Sequence, residues 1–302
     1  MPRFILIFLT VILIVTPYSS LYAKRSKRTK KKPQPITVVT LDNFLEDAAN
    51  TTKLDLSENK LKNLDSKISL FSNLTHLNLN NNELSTLPDT IGTLQNLQSL
   101  IVNNNELVRL TTEIANIKSL IWLQAGYNQI SYLPSTIGNL TNLELLALPH
   151  NNLAKIPSEM GRLTKLIEID FSHNNLKKLP TSFKNLINLK YLNISENRLV
   201  DFTFSIGKLS KLEWLKANNN LFKEIPAEFL KLTKLTELDL GSNKFSDFPE
   251  EILSLENLEF LDLSQNNLTE IPSDIANLKE LRVLYLQDNK IKTLPRTMEK
   301  LT

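Results

Sequence analysis

The sequence predicts an α/β solenoid in which a parallel concave β-sheet is backed by short convex helical turns. Three observations predict it. An asparagine recurs at Asn59, Asn82, Asn105, Asn128, Asn151, Asn174, Asn197, Asn220, Asn243, Asn266 and Asn289, and every gap is 23 residues. A Leu-x-Leu alternation precedes the asparagine, which gives one short strand per unit with its leucines inward. A Leu-Pro step and an Ile-x-x-Leu spacing follow it in most units. Proline lacks an N–H and ends the inner arc, and the later spacing suits a convex helical turn. Such a unit cannot bury its own apolar side, so stability comes from stacking on neighbours.

Composition narrows the function classes. None of the 302 residues is Cys. That excludes disulfides, thiolate metal sites, a cysteine nucleophile and a lipid-modified cysteine anchor. Three His argue against a multi-His metal centre, and six Gly are few for phosphate-cradling loops. The formal charge of +3 hides an uneven distribution, because residues 1–36 hold eight basic residues and no acidic one. The 27 basic and 32 acidic residues that remain leave about −5 on residues 37–302.

The elements follow in chain order. Residues 1–23 read as a signal peptide: Arg3, an apolar run over 4–15, then Pro17, Ser19, Ser20 and a cleavage point after Ala23. The apolar run is too short for a comfortable membrane span. Residues 24–36 read as a basic disordered linker, with Lys24, Arg25, Lys27, Arg28, Lys30, Lys31 and Lys32 followed by Pro33 and Pro35. This charge resists translocation, so an uncleaved anchor with the body in the cytoplasm is the rival reading. If cleavage occurs, the Lys24–Lys32 tail can hold an anionic surface through charge alone. Residues 37–50 read as an N-terminal capping helix with Leu41, Phe44, Leu45 and Ala48 on one face and Thr40 or Asp42 as N-cap.

Residues 51–302 then form eleven 23-residue units. The second reads Leu74-x-x-Leu77-x-Leu79-x-x-Asn82-x-Leu84-x-x-Leu87-Pro88-x-x-Ile91-x-x-Leu94. Asp65, Thr111 and Thr203 replace the proline in three units, which leaves the local turn open there. The recurrent Asn sits where the strand turns away, and its amide can pair backbone groups of its own and neighbouring units. No cap is visible at the C-terminal end, where Arg296, Glu299 and Lys300 either suffice to face water or leave an edge for a second molecule.

This pattern resembles the leucine-rich repeat, over about 83% of the chain. The resemblance implies a right-handed solenoid, or horseshoe. The Leu-Pro variant is similar to the 23-residue class found in many bacterial secreted or surface proteins. It is also similar to intracellular scaffolds that bind small GTPases.

Candidate site residues lie at the outward positions of the strands. Adjacent units set equivalent side chains about 4.8 Å apart. The column before the second leucine reads Lys53, His76, Ser99, Trp122, Leu145, Glu168, Tyr191, Trp214, Glu237, Phe260 and Val283, and holds both tryptophans of the chain. The next outward column adds Ile101, Lys216 and Tyr285, and the one before the ladder Asn adds Tyr127, His150 and His173. Two exposed patches are expected: Ile101, Trp122, Tyr127, Leu145 and His150; and Tyr191, Trp214, Lys216 and Phe260. Clustered outward aromatics mark interfaces. Glu168, Asp170, Glu237, Asp239 and Asp262 make the later concave face acidic, which steers a basic partner surface. His150, His173 and Glu196 form a triple of metal- or pH-responsive types, but the spacing is loose and no metal is assigned.

Five Asn-x-Ser/Thr sites, at Asn50, Asn73, Asn139, Asn193 and Asn267, arise mostly from the repeat itself. Units of one length build no pocket, and no nucleophile with a base is grouped, so no enzyme and no cofactor are expected. The acidic body argues against specific nucleic-acid binding. The expected role is an exported module that binds a protein partner through the concave face, in host or envelope interaction. A membrane-anchored or cytoplasmic signalling scaffold is the alternative, and a structural envelope component is a third reading. Oligomeric state stays open.

Overall fold

The computed structural model describes residues 41–300. The signal peptide, the cleavage point, the basic tail and Thr40 lie outside the described residues. Eleven strands of three residues each follow one another: β1 (Lys53–Asp55), β2 (His76–Asn78), β3 (Ser99–Ile101), β4 (Trp122–Gln124), β5 (Leu145–Ala147), β6 (Glu168–Asp170), β7 (Tyr191–Asn193), β8 (Trp214–Lys216), β9 (Glu237–Asp239), β10 (Phe260–Asp262) and β11 (Val283–Tyr285). They form one parallel sheet in sequence order. Each strand pairs residue i with i+23, as in Trp122↔Leu145 and Leu123↔Leu146. The middle residue of each strand points into the core, and Leu100, Leu123, Leu146, Leu192 and Leu215 are fully buried.

Two polar ladders hold the turns. The first is the recurrent asparagine. Asn174 Nδ2 donates to Leu148 O (3.0 Å), Phe171 O (3.1 Å) and Ser172 O (3.0 Å), and its Oδ1 accepts from Leu153 N–H at 2.9 Å. Asn243 repeats the pattern with Ala217, Leu240, Gly241 and Phe222. One amide thereby satisfies four backbone groups in two units, which no apolar side chain can do. The second ladder was not foreseen from sequence. The asparagine before the unit's first leucine donates to a carbonyl 24 residues back: Asn73 to Ala49, Asn96 to Ser72, Asn142 to Lys118, Asn188 to Thr164 and Asn257 to Thr233, at 2.7–3.0 Å. Its sequence signal is the same 23-residue recurrence in incomplete form.

The convex turns are 3₁₀, and no α-helix occurs among the described residues. Most span five residues, such as Asp89–Thr93 and Ser135–Asn139. Runs this short are usual for the 3₁₀ helix, whose i→i+3 bonds have poorer geometry. The proline does more than end the arc, because its carbonyl accepts the first of these bonds, as in Ile91 N–H to Pro88 O at 3.0 Å. Asp65 and Thr111 hold the same extended backbone (φ −62°, ψ 142° and φ −64°, ψ 147°) without a pyrrolidine ring. Asp65 caps Lys67 N–H with its carboxylate. The Thr203 unit differs: its 3₁₀ run shrinks to Ile206–Lys208. Phe202 turns inward there and stacks on Phe222 with centroids 4.6 Å apart. At Gly92 a Cβ would lie 2.5 Å from Glu113 O, so only glycine lets the neighbouring turns approach.

Of the expected capping segment over 37–50, the described part holds a 3₁₀ helix over Leu41–Asp47, and of its expected face Leu41 and Ala48 are buried. Phe44 and Leu45 are partly buried and pack against the core. In the last unit Leu281, Leu284, Leu286 and Ile291 are only partly buried, and Leu294 is 54% exposed.

Candidate functional site

The outward strand residues face the concave side in two columns, but they are not equally accessible. Trp122, Tyr191, Trp214, Glu237 and Phe260 are half-buried in the first column, and Ile101, Asp170, Lys216, Asp239 and Asp262 in the second. Leu145 and Glu168, expected to be exposed, are not: their exposures are 5% and 6%. The column explains this. Trp122, Leu145, Glu168 and Tyr191 stand on four successive strands in register. At a strand spacing of about 4.8 Å the two large rings cover the two shorter side chains between them. The first patch therefore presents Trp122, Ile101 and the rim residues Tyr127 and His150, without Leu145.

The rim is built from unusual backbone. The residue before the ladder Asn has positive φ in every unit, from Glu58 (60°) to Asp288 (57°), and none of these is glycine. Left-handed backbone costs a side-chain-bearing residue about 1–2 kcal/mol. The neighbouring hydrogen bonds hold it, with His150 N–H donating to Ser172 O (3.0 Å) and Asn151 N–H to His173 O (3.2 Å). Repetition of this geometry aligns three rings. Tyr127 stacks on His150 with centroids 4.1 Å apart and planes 16° apart, and His150 on His173 at 3.8 Å and 13°. Tyr127 is 53% exposed. Burial, then the adjacent His173, lowers the His150 pKa against the opposing pull of Asp170 and Glu196. Imidazoles stacked face to face send their nitrogen lone pairs outward in parallel, not toward one point, so this pair does not chelate one ion. Among the described residues no group of three His, Cys, Asp or Glu is arranged to hold a metal.

The second patch lies on β7–β11 and mixes rings with carboxylates. Lys216 Nζ sits 4.7 Å from the Trp214 ring centroid, and Glu237 stands in register beside Trp214 on the neighbouring strand. Phe260 meets Tyr285 edge-on at 5.6 Å. Tyr191 is held from the side by Glu213, whose Oε2 accepts from the Tyr191 hydroxyl at 3.2 Å while Oε1 takes Lys190 at 2.7 Å. Asp239 and Asp262 pair in register. Burial and then the Asp262 charge push Asp239 up to about 6. Burial also raises Asp262 and Glu237.

The acidic residues of the second column also serve the fold. Asp170 Oδ1 accepts from Ser172 N–H (2.9 Å) and Oγ–H (2.6 Å), Asp262 from Ser264 N–H (2.7 Å) and Asp239 from Gly241 N–H (3.1 Å). Asn193 closes the same turn onto Ser195, so an amide suffices there. The Asp-x-Ser spacing is the sequence signal of this Asx turn, which the reading of these acids as a concave charge passed over. The ring stack and the crowding of Asp239 against Asp262 were not, because both depend on facing directions across units. No helix among the described residues is long and apolar enough to cross a membrane.

Comparison with known proteins gives a consistent result. The profile described as leucine-rich repeat region matches residues 50–178, and the one described as leucine rich repeat matches 210–268, 233–291 and 256–302. No curated protein matches the chain. Among solved structures, a leucine-rich-repeat protein of Leptospira interrogans is 38% identical with a TM-score of 0.71, over 83% of this chain and 70% of that one. The plant peptide hormone receptor RGFR1, solved in complex with RGF2, is 31% identical with a TM-score of 0.72, over 83% of this chain. The match spans only 42% of that receptor chain. An internalin of Listeria monocytogenes, 22% identical with a TM-score of 0.67 over 85% of this chain and 86% of that one, shares the fold. Two repeat profiles and a relative matched over most of both chains agree with the asparagine ladder and the parallel sheet: the chain belongs to the leucine-rich-repeat family.

Proposed function

We propose that this chain is an exported, non-catalytic protein-interaction module that binds a protein partner through the concave face of its solenoid. The observation that carries the reading is the alignment of Trp122, Tyr191, Trp214 and Phe260 in one half-buried outward column of a single rigid sheet. Such rings anchor interfaces. A preformed sheet loses little ordering entropy on binding. The plant receptor of similar fold, solved with a peptide hormone bound, supports a protein or peptide as ligand. Export rests on the leader sequence, and the Leptospira relative is a bacterial protein of the same family. The Lys24–Lys32 tail then offers an anionic surface a second, purely electrostatic contact.

Two experiments test this. Trp122→Ala and Trp214→Ala should melt like wild type but recover less of the partner from cross-linked envelope and extracellular fractions. Equal recovery by wild type and both variants would overturn the concave-face reading. The mature N-terminus, read by mass spectrometry, should be Lys24 outside the cytoplasm. An intact Met1 in a protease-shielded membrane fraction would favour the cytoplasmic scaffold, which the basic run after the apolar segment also favours.

A further inference from the structure

The face formed by β8–β11 is built differently from the rest of the sheet. Four successive strands bring Trp214 and Lys216, Glu237 and Asp239, Phe260 and Asp262, and Tyr285 to one surface. Three aromatic rings therefore flank two adjacent carboxylates. Asp239 and Asp262 each spend one oxygen on the turn of their own unit, through Gly241 N–H and Ser264 N–H. Gly241 leaves room for the Asp262 carboxylate, because a Cβ there would lie 3.1 Å from Asp262 Oδ1 and 3.3 Å from Asp262 Cγ. Like charges set so close and partly removed from water oppose each other. The cation beside them is Lys216, in register with Asp239 on the neighbouring strand, and it rests on the Trp214 ring.

We propose that this surface docks a protein segment through an arginine side chain, which lies on the Trp214 ring and bridges Asp239 and Asp262. The inference rests on the concave-face reading above and names the partner chemistry for one part of that face. Charge complementarity carries it. Two carboxylates one strand apart, about 4.8 Å, match the forked donors of one guanidinium. The indole offers its face to the same cation, and Lys216 shows that the ring accepts one. Lys216 is the stand-in that the incoming guanidinium displaces. Glu237 flanks the indole in register on the neighbouring strand.

The pH dependence follows from the groups around Asp239. These are Lys216 on β8, Glu237 on the same strand, Asp262 on β10, Tyr285 on β11 and, one step further, Glu259. With Asp239 raised to about 6, its ionised, cation-binding form is lost as pH falls through that value.

The test uses the full chain and a fluorescein-labelled hexa-arginine peptide, read by anisotropy at low salt. Asp239→Asn/Asp262→Asn keeps both turns, as Asn193 already does, and should weaken binding about tenfold or more. Trp214→Ala should weaken it, Lys216→Met should strengthen it, and Ser135→Ala on a convex turn should leave it unchanged. Wild-type binding should fall between pH 7 and pH 5 while the double Asn variant stays flat. Hexa-lysine should bind less tightly than hexa-arginine. Binding unaffected by the double substitution, or weakened as much by Asp170→Asn, would overturn the proposal. So would calcium alone raising the melting temperature in wild type but not in the double variant, since the pair would then be an ion site. A partner lost by Trp122→Ala and Trp214→Ala but retained by the double Asn variant would sink this inference and leave the concave-face reading standing.

Discussion

The concave stretches at β4–β7 and β8–β11 share one backbone and differ in what they do with buried polarity. In the first, Trp122 and Tyr191 enclose Leu145 and Glu168, and the rim carries the parallel stack of Tyr127, His150 and His173. Neutral rings stack on one another at that rim, above a Glu168 carboxylate that is only 6% exposed. In the second, rings surround Asp239 and Asp262, whose charges are crowded and partly desolvated. On the proposal above, the second stretch is the one that a cation improves. The difference teaches that one backbone raster carries two surfaces of different chemistry through side chains alone.

The largest expected effect tests the shared part. Asn174→Ala beneath the first stretch and Asn243→Ala beneath the second each remove a four-bond amide. Each should cost about 3 kcal/mol or more, because several buried backbone groups lose their partner. Urea unfolding should show equal losses. A much smaller loss at either site would break the claim that the backbone frame is common to both.

The next effect separates the stretches. Asp239 has a folded-state pKa of about 6 against 3.8 for the free group. The folded protein thus binds the extra proton between those values, and this group favours folding below 3.8 and opposes it increasingly as pH rises to 6. Asp239→Asn should stabilise the protein by about 1–3 kcal/mol at pH 7.5, with the gain gone near pH 3.5. Destabilisation by this substitution at pH 7.5 would contradict the crowded-carboxylate account.

The smallest effect belongs to the stack. His150→Ala should cost about 1 kcal/mol at pH 7.5, the scale of an aromatic pair beyond its burial. The folded-state pKa of His150 lies below 6.5, so its contribution is full above that value and declines as pH falls below it. The wild-type advantage over His150→Ala in thermal melts should therefore shrink from pH 7.5 to pH 5. A constant difference would mean the imidazole charge does not matter to the stack.

The frame was legible in the sequence because it rests on one-unit rules. Leu-x-Leu fixes strand and facing, Asn fixes the turn, and a constant 23-residue spacing fixes the register. The convex turns were read as helical but not as 3₁₀, since spacing of three or four residues does not separate the two. The site was legible only in part. Trp122, Trp214, Tyr191 and Phe260 share the face read for them, whereas Leu145 and Glu168 are covered by neighbours that a column written in letters does not size. The stack needed the left-handed backbone at Tyr127, His150 and His173, which no residue type there signals.

The central claim is that the concave sheet, and not the convex surface, meets the partner. Photo-crosslinking in intact cells tests it directly, with a benzophenone side chain placed at Gln124 on β4 or at exposed Lys208 on a convex turn. The account expects a protein adduct from position 124 and none from position 208. An adduct from position 208 alone would contradict it.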